Sequence, residues 1–268
     1  MGRALFGVSG FVTAPSTTFM AWTMAGNDSL TVRNTPVGSM AAILSIWADN
    51  QAAGYLRILS NLMHDGVYGI TANVVAAEVR PLLPLGAKPR LYSQDQLIVQ
   101  QTGSATAGDI ESGTMLQYYE DYPGSAQRLA TWDQVKNRIV SYMYVNNTLA
   151  LGTAGGYSGS QVITTTTDQW KANRDYCLMG FLCSAQCCTV GWNGPDSSSL
   201  RICGPGNAAS EQLTANFFVD LSMATGLPTI QVFNAANKAA TFIDGMQDEV
   251  GTDVIVTSIF GLLDGPFV

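Results

Sequence analysis

Leu56-Arg57-Ile58, then Ile70-Thr71-Ala72-Asn73, then Leu83-Pro84, recur in the same order as Leu200-Arg201-Ile202, Leu213-Thr214-Ala215-Asn216 and Leu227-Pro228. The offsets are 144 (56 to 200), 143 (70 to 213) and 144 (83 to 227). Self-similarity at a fixed spacing is the signature of a repeated structural unit, so the chain reads as one unit present twice. Further out the match fades but keeps its pattern: Leu97-Ile98-Val99 falls opposite Thr241-Phe242-Ile243, and Trp22 lies 148 residues before Trp170.

Both copies follow one grammar. Before the repeated Leu-Arg-Ile lie short β-favouring runs, Leu30 to Arg33 and Met40 to Trp47 in the first, Tyr176 to Cys183 and Cys187 to Trp192 in the second, separated by Asn, Asp, Gly and Pro. A helix is expected next. Thr71 would cap a segment with Val75, Val79 and Leu82 on one face and Pro81 at its end. Thr214 would cap one with Phe217, Leu221 and Ala224, closed by Gly226 and Pro228. Strand-like runs follow at Arg90 to Val99 and Thr114 to Tyr119, and at Thr229 to Phe233, Ala240 to Ile243 and Asp253 to Phe260. Between the copies, Leu129, Trp132, Val135, Ile139, Tyr142 and Met143 share a helical face over 130–143, and the Gly-rich run Gly152 to Ser160 reads as a flexible boundary. The expected fold is all-β: two tandem jelly-roll sandwiches, each with one inserted helix, joined by a helical linker. The divisions are an N-terminal arm at 1–20, a first jelly roll at 21–122, a linker with its helix at 123–160 and a second jelly roll at 161–268.

Composition narrows the function. Of 268 residues, 47% are hydrophobic and only 12% charged, with 27 glycines, which argues against disorder and coiled coil and suits a sheet protein whose surface packs against something, such as copies of itself. The 13 basic residues are scattered and outnumbered by 20 acidic ones, the reverse of what phosphate neutralisation requires, so no direct nucleic-acid contact is expected. Cys177, Cys183, Cys187, Cys188 and Cys203 form no CxxC pair and read as small buried hydrophobes. The apolar start from Ala4 to Val12 loosely imitates a signal peptide, but Pro15 would directly follow the cleavage point, so it reads as an arm that packs against a neighbour, a membrane or the domain itself.

The chemical motifs are weak. His64 is the only histidine, so any catalytic triad must use it, and Asp65 is merely its neighbour in sequence. Gly156-Tyr157-Ser158-Gly159 lacks the glycine that a nucleophile elbow needs, because Ser160 stands there. No phosphate-binding glycine motif is present. Asp244, Asp248, Glu249 and Asp253, with Asp109 and Glu111 in the matching loop of the first copy, read as solvated loop carboxylates, a subunit-bridging ion being left open. Trp47 and Trp192 stand at comparable places before the repeated motif and point to core or interface packing, and Tyr118, Tyr119 and Tyr122 to a seal over the bridge. No catalytic residue and no cofactor is assigned.

The duplicated strand-rich units, the helix after the middle strands, the helical linker and the N-terminal arm together resemble the double jelly-roll major capsid proteins of adenovirus-like viruses and tailless bacteriophages, many with an internal membrane. That resemblance implies a non-enzymatic virion subunit. It implies a homotrimer of pseudo-hexagonal outline in an icosahedral shell, with neighbouring capsomers and penton or minor capsid proteins as partners, and an arm turned inward toward any internal membrane. The alternative of another class is a phage or cell-surface pair of β-sandwiches recognising glycans. A hydrolase built on His64 is more distant.

Overall fold

Extended, β-branched and aromatic runs punctuated by Gly, Asn and Pro build seventeen strands in a computed structural model that describes residues 2–13, 16–26, 28–63, 68–152, 154–163, 169–185, 187–206, 214–247 and 252–267. The first half contributes β1 (Gly2–Thr13), β2 (Met20–Ala21), β3 (Thr23–Met24), β4 (Ala41–Asp49), β5 (Gly54–Leu59), β6 (Ile70–Val74), β7 (Ile98–Gln101) and β8 (Ile110–Tyr122). β9 (Leu129–Ala130) and the one-turn helix α1 (Trp132–Val135) form the crossing. The second half contributes β10 (Ile139–Leu151), β11 (Ser158–Val162), β12 (Asp175–Cys183), β13 (Cys187–Asn193), β14 (Ile202–Gly206), α2 (Phe217–Thr225), β15 (Ile230–Asn234), β16 (Phe242–Met246) and β17 (Thr252–Leu263).

The all-β expectation holds, and the strand order is that of a jelly roll twice over. Counted from one to eight in the second half, one sheet runs 1-8-3-6 (β10-β17-β12-β15) and the other 2-7-4-5 (β11-β16-β13-β14). The first half repeats both, as β1-β8-β4 with a single bridge from Ala42 to Arg90 in sixth place, and as β2-β7-β5-β6. All named ladders are antiparallel. Two β-bulges coincide as well. The first strand shifts register at Gly2/Ala4 and at Ile139/Ser141, and the third at Ile43/Ser45 and at Leu178/Gly180.

This registration corrects the alignment read from the sequence. Equivalent positions are 137 residues apart in the first strand (Gly2 to Ile139), 135 in the third (Ile43 to Leu178), 134 in the fourth (Arg57 to Gly191), 144 in the seventh (Gln100 to Asp244) and 143 in the eighth (Gln117 to Phe260). The Leu-Arg-Ile match is therefore out of register: Arg57 lies in β5, whereas Arg201 precedes β14. Trp47 and Trp192 are likewise not equivalents, since one ends the third strand and the other the fourth.

Four further expectations are overturned. The segment expected to be helical from Thr71 is strand β6, paired with β5 from Ile58–Ile70 to Gly54–Val74. Its Ile, Thr and Val favour a strand, and Ala77 at φ +53°, together with Pro81 and Pro84, prevents a helix beyond it. The linker helix is only four residues long, opened by a Thr131–Gln134 capping box. From Val145 the chain alternates buried and exposed residues to Leu151, the period of a strand, and 139–151 opens the second sandwich. Finally, residues 2–13 form no arm: β1 is paired along nearly its whole length with β8, and Ala4, Leu5, Val8 and Val12 are buried. The Gly-rich run is not an inter-unit linker either, for Gly155 donates to the Gln247 carbonyl at 2.8 Å and Ser158 opens β11. The second helix stands as read, although Asn216 rather than Thr214 occupies its cap position; Gly226 at φ +70° ends it.

Candidate functional site

The sheet β1-β8-β4 is buried on both faces, and the alternation of each strand deals its residues into two different cores. Ala4 and Val8, Ile43 and Ile46, Met115 and Tyr119 fill the first sandwich. Leu5, Leu44, Trp47, Leu116 and Tyr118 point the other way and join one continuous core with the second unit. This accounts for the nearly unbroken apolar run of β4, all nine residues of which are buried.

The face met in the second unit is its 2-7-4-5 sheet. Thr189 of β13 receives the Trp47 indole N–H at 3.0 Å, and its hydroxyl lies 2.5 Å from that of Thr114 on β8. Ser9 on β1 bonds to Thr114 at 2.8 Å and to the Tyr157 hydroxyl at 2.7 Å, and the latter reaches the Cys203 sulfur at 3.1 Å. Gly7 donates its N–H to the Arg201 carbonyl at 3.0 Å. A Cβ at Gly7 would run into the Cys203 side chain, so glycine is what lets the two sheets approach. At one end Gln127 grips Leu5 through both its N–H and its carbonyl, at 2.7 and 3.0 Å.

Charges reinforce the join. The Arg201 guanidinium lies 3.8 Å from the Tyr157 ring centroid and bonds Asp244 at 3.0 Å. Burial raises the Asp244 carboxyl above its ordinary value, against the pull of Arg201, and burial raises Asp28, which accepts the Ser9 N–H at 2.8 Å. On the crossing, Arg128 holds Asp175 with two bonds (2.7 and 3.1 Å) and Asp196 at 3.6 Å. Burial alone would raise the Asp175 carboxyl, but Arg128, the Phe267 N–H and Asn234 hold it below the usual range. A cleft of about 290 Å³ opens beside the junction, with Asp28, Arg33, Tyr119, Tyr122 and Arg201 among its walls.

Each half also leaves part of one sheet face exposed, although on the second sandwich Met179 and Ile259, the equivalents of Leu44 and Leu116, are buried. On the second sandwich, the face equivalent to the buried Leu5–Trp47 face carries Val140, Tyr142, Tyr144 and Ile255, all 46–61% exposed. On the first, the 2-7-4-5 sheet exposes Met20, Tyr55 and Ile98, 38–49%.

The residues singled out in the sequence separate accordingly. His64, Asp65, Asp248 and Glu249 lie outside the described residues. Ser158 begins a strand and not a strand-to-helix turn. Asp244 and Glu111 are not solvated loop carboxylates: both are buried, one against Arg201 and the other accepting the Gln51 N–H at 2.8 Å and the Ser104 N–H at 2.5 Å. Asp253 is exposed on β17. All five cysteines are buried. Trp47 serves the junction and Trp192 the second core, where it meets Phe233 edge-on. Tyr118 faces the second unit, whereas Tyr119 turns into the first sandwich and Tyr122 packs edge-on against it. Sequence reading missed Ser9, Thr114, Thr189 and Tyr157, single hydroxyl groups whose only signal was a polar residue inside a β-favouring run.

No protein-family model and no curated protein matches the chain. Among solved structures, it is similar to the PBSX exported protein XepA (10% identity, 96% of this chain and 86% of that one, TM-score 0.27). It is also similar to the major capsid protein P2 from bacteriophage PM2 (9% identity, 98% of each chain, TM-score 0.25). The jelly-roll assignment rests on the strand order and coincident bulges described above, not on these two likenesses.

Proposed function

We propose that the chain is a structural subunit of a viral coat, three copies of which close head to tail into a ring of six sandwiches, a capsomer of an icosahedral shell. The observation that supports this is the asymmetry of the internal junction. It joins a 1-8-3-6 sheet to a 2-7-4-5 sheet, so each chain keeps one sheet of either kind outside that junction, with Tyr142 and Tyr144 exposed on one and Tyr55 and Ile98 on the other. Repeating that contact between copies is a heterologous association, which makes a ring when its rotation closes. Neighbouring capsomers and penton or minor coat proteins would meet the remaining flanks, within the virion. The protein acts by packing, with no reaction, cofactor or nucleic-acid contact of its own.

Light scattering across a concentration series tests the reading. Three chain masses are expected, and negative-stain images of particles from the native source should show hexagonal capsomers. A discrete monomer at every concentration overturns it. A sugar-binding reading has less support, because four of the five tryptophans, Trp22, Trp47, Trp170 and Trp192, are buried and the fifth, Trp132, is half-buried against the core.

A further inference from the structure

The clamp that receives β1 inside the chain has an unoccupied twin. In the second sandwich, Arg201 stacks on Tyr157, the residue just before the second strand, and bonds Asp244 on the seventh. In the first, Arg57 stacks on Phe19, again just before the second strand, at the same 3.8 Å, and donates from Nε to Gln100 on the seventh at 2.7 Å. Gln100 pairs with Arg57, and its equivalent Asp244 pairs with Gly191. A Cβ on Gly191 would come within 2.6 Å of the Arg201 side chain, so Arg201 fills the place above the sheet that Arg57 takes from its own strand. The two clamps are thus the same arrangement, built once from the fourth strand and once from the segment before the fifth. The first is half-buried and ringed by exposed Tyr55 and Ile98; the second lies under the neighbouring sandwich.

The other side of the contact is duplicated too. Ser9 and Thr114 form a cross-strand pair that lies over the Tyr157 hydroxyl. Their register equivalents are Asn146 and Thr257, paired at 2.7 Å with Asn146 exposed. Leu5 and Gly7 correspond to Tyr142 and Tyr144, which flank that pair in the open.

We infer that the Phe19–Arg57–Gln100 clamp of one copy is the docking site for the Tyr142–Tyr144–Asn146 face of a second copy of this chain. The inference rests on the coat-subunit reading and names its contact. Cation–π and hydrogen-bond donation from Arg57 to tyrosine rings and hydroxyls is the recognition chemistry, and the apolar rims supply the burial.

The test uses the full chain and two variants, Arg57→Ala (clamp removed, face intact) and Tyr144→Arg (face repelled by Arg57, clamp intact). Each alone is expected to run at the mass of one chain where the unaltered protein runs at three, with an unchanged melting temperature. Mixed one to one, they are expected to form a two-chain species and stop there, because one intact clamp meets one intact face. If the unaltered protein associates but the variants keep its full mass, or if mixing yields no two-chain species, the docking site is overturned while the coat reading stands. If the unaltered protein is itself monomeric throughout, both fall.

Discussion

Thr114 and Thr189, seventy-five residues apart and on different sandwiches, place their hydroxyl oxygens 2.5 Å from each other, with the Trp47 indole N–H on the same Thr189 oxygen. All three are buried. Replacing Thr189 by Val keeps the shape but orphans the Trp47 indole N–H and takes from Thr114 one of its two hydroxyl partners, Ser9 remaining, at a cost of about 1–3 kcal/mol. Denaturant unfolding should show that loss. In a double-mutant cycle with Thr114→Val the combined loss should fall short of the sum of the two single losses, because both changes remove the same Thr114–Thr189 bond.

Trp47→Ala removes the largest side chain of the junction, which packs edge-on to Phe217 at 5.6 Å. The expected loss is about 3–5 kcal/mol. A stability within 1 kcal/mol of the unaltered protein, measured by urea titration, would contradict a shared core.

Arg128→Ala leaves Asp175, which is 1% exposed, without its charged partner, and should cost about 3 kcal/mol at neutral pH. The pH dependence follows from the direction of the shift. The Asp175 carboxyl is held below its unfolded value, so its contribution is present above that value and fades as pH falls through the folded one. Arg128→Ala should therefore flatten the acid limb of a melting-temperature profile.

Glu111 has the opposite sign. Burial raises its carboxyl despite the Ser104 and Gln51 N–H donors, so the folded state binds the proton more tightly and stability declines as pH rises from the unfolded value through the raised one. Glu111→Gln should remove that decline while keeping one acceptor oxygen. An unchanged slope above the usual carboxylate range would count against the assignment.

Burial pushes the thiols of Cys177, Cys183 and Cys203 up to about 11, 12 and 12, and that of Cys187 well above the ordinary range. Reaction with a disulfide reagent at pH 8 should be negligible for the folded protein and reach five thiols per chain in denaturant.

The duplication was legible in the sequence, though not for the reason that drew attention to it. Of the short matches, Leu97-Ile98-Val99 against Thr241-Phe242-Ile243 falls on equivalent strands, whereas Leu-Arg-Ile does not, because connections of unequal length precede it. Helical periodicity misled at Thr71 and Ile139, where three and six apolar residues respectively fit a 3.6-residue face by chance while the backbones of Ile70–Val74 and Ile139–Leu151 paired as strands. The junction could not be read at all. Leu5 and Ala4 look alike in sequence, and only the pleat assigns one to each core.

The two-faced sheet also constrains how the protein must be made. A ribosome that has released residue 122 has completed the first sandwich but not its neighbour, so Leu5, Leu44, Trp47, Leu116 and Tyr118 emerge with nothing to cover them. At ordinary synthesis rates the second half takes on the order of ten seconds to follow. Throughout that interval the nascent chain presents an apolar sheet face to every other nascent copy nearby, so the second half of the same chain competes with neighbouring copies for that surface.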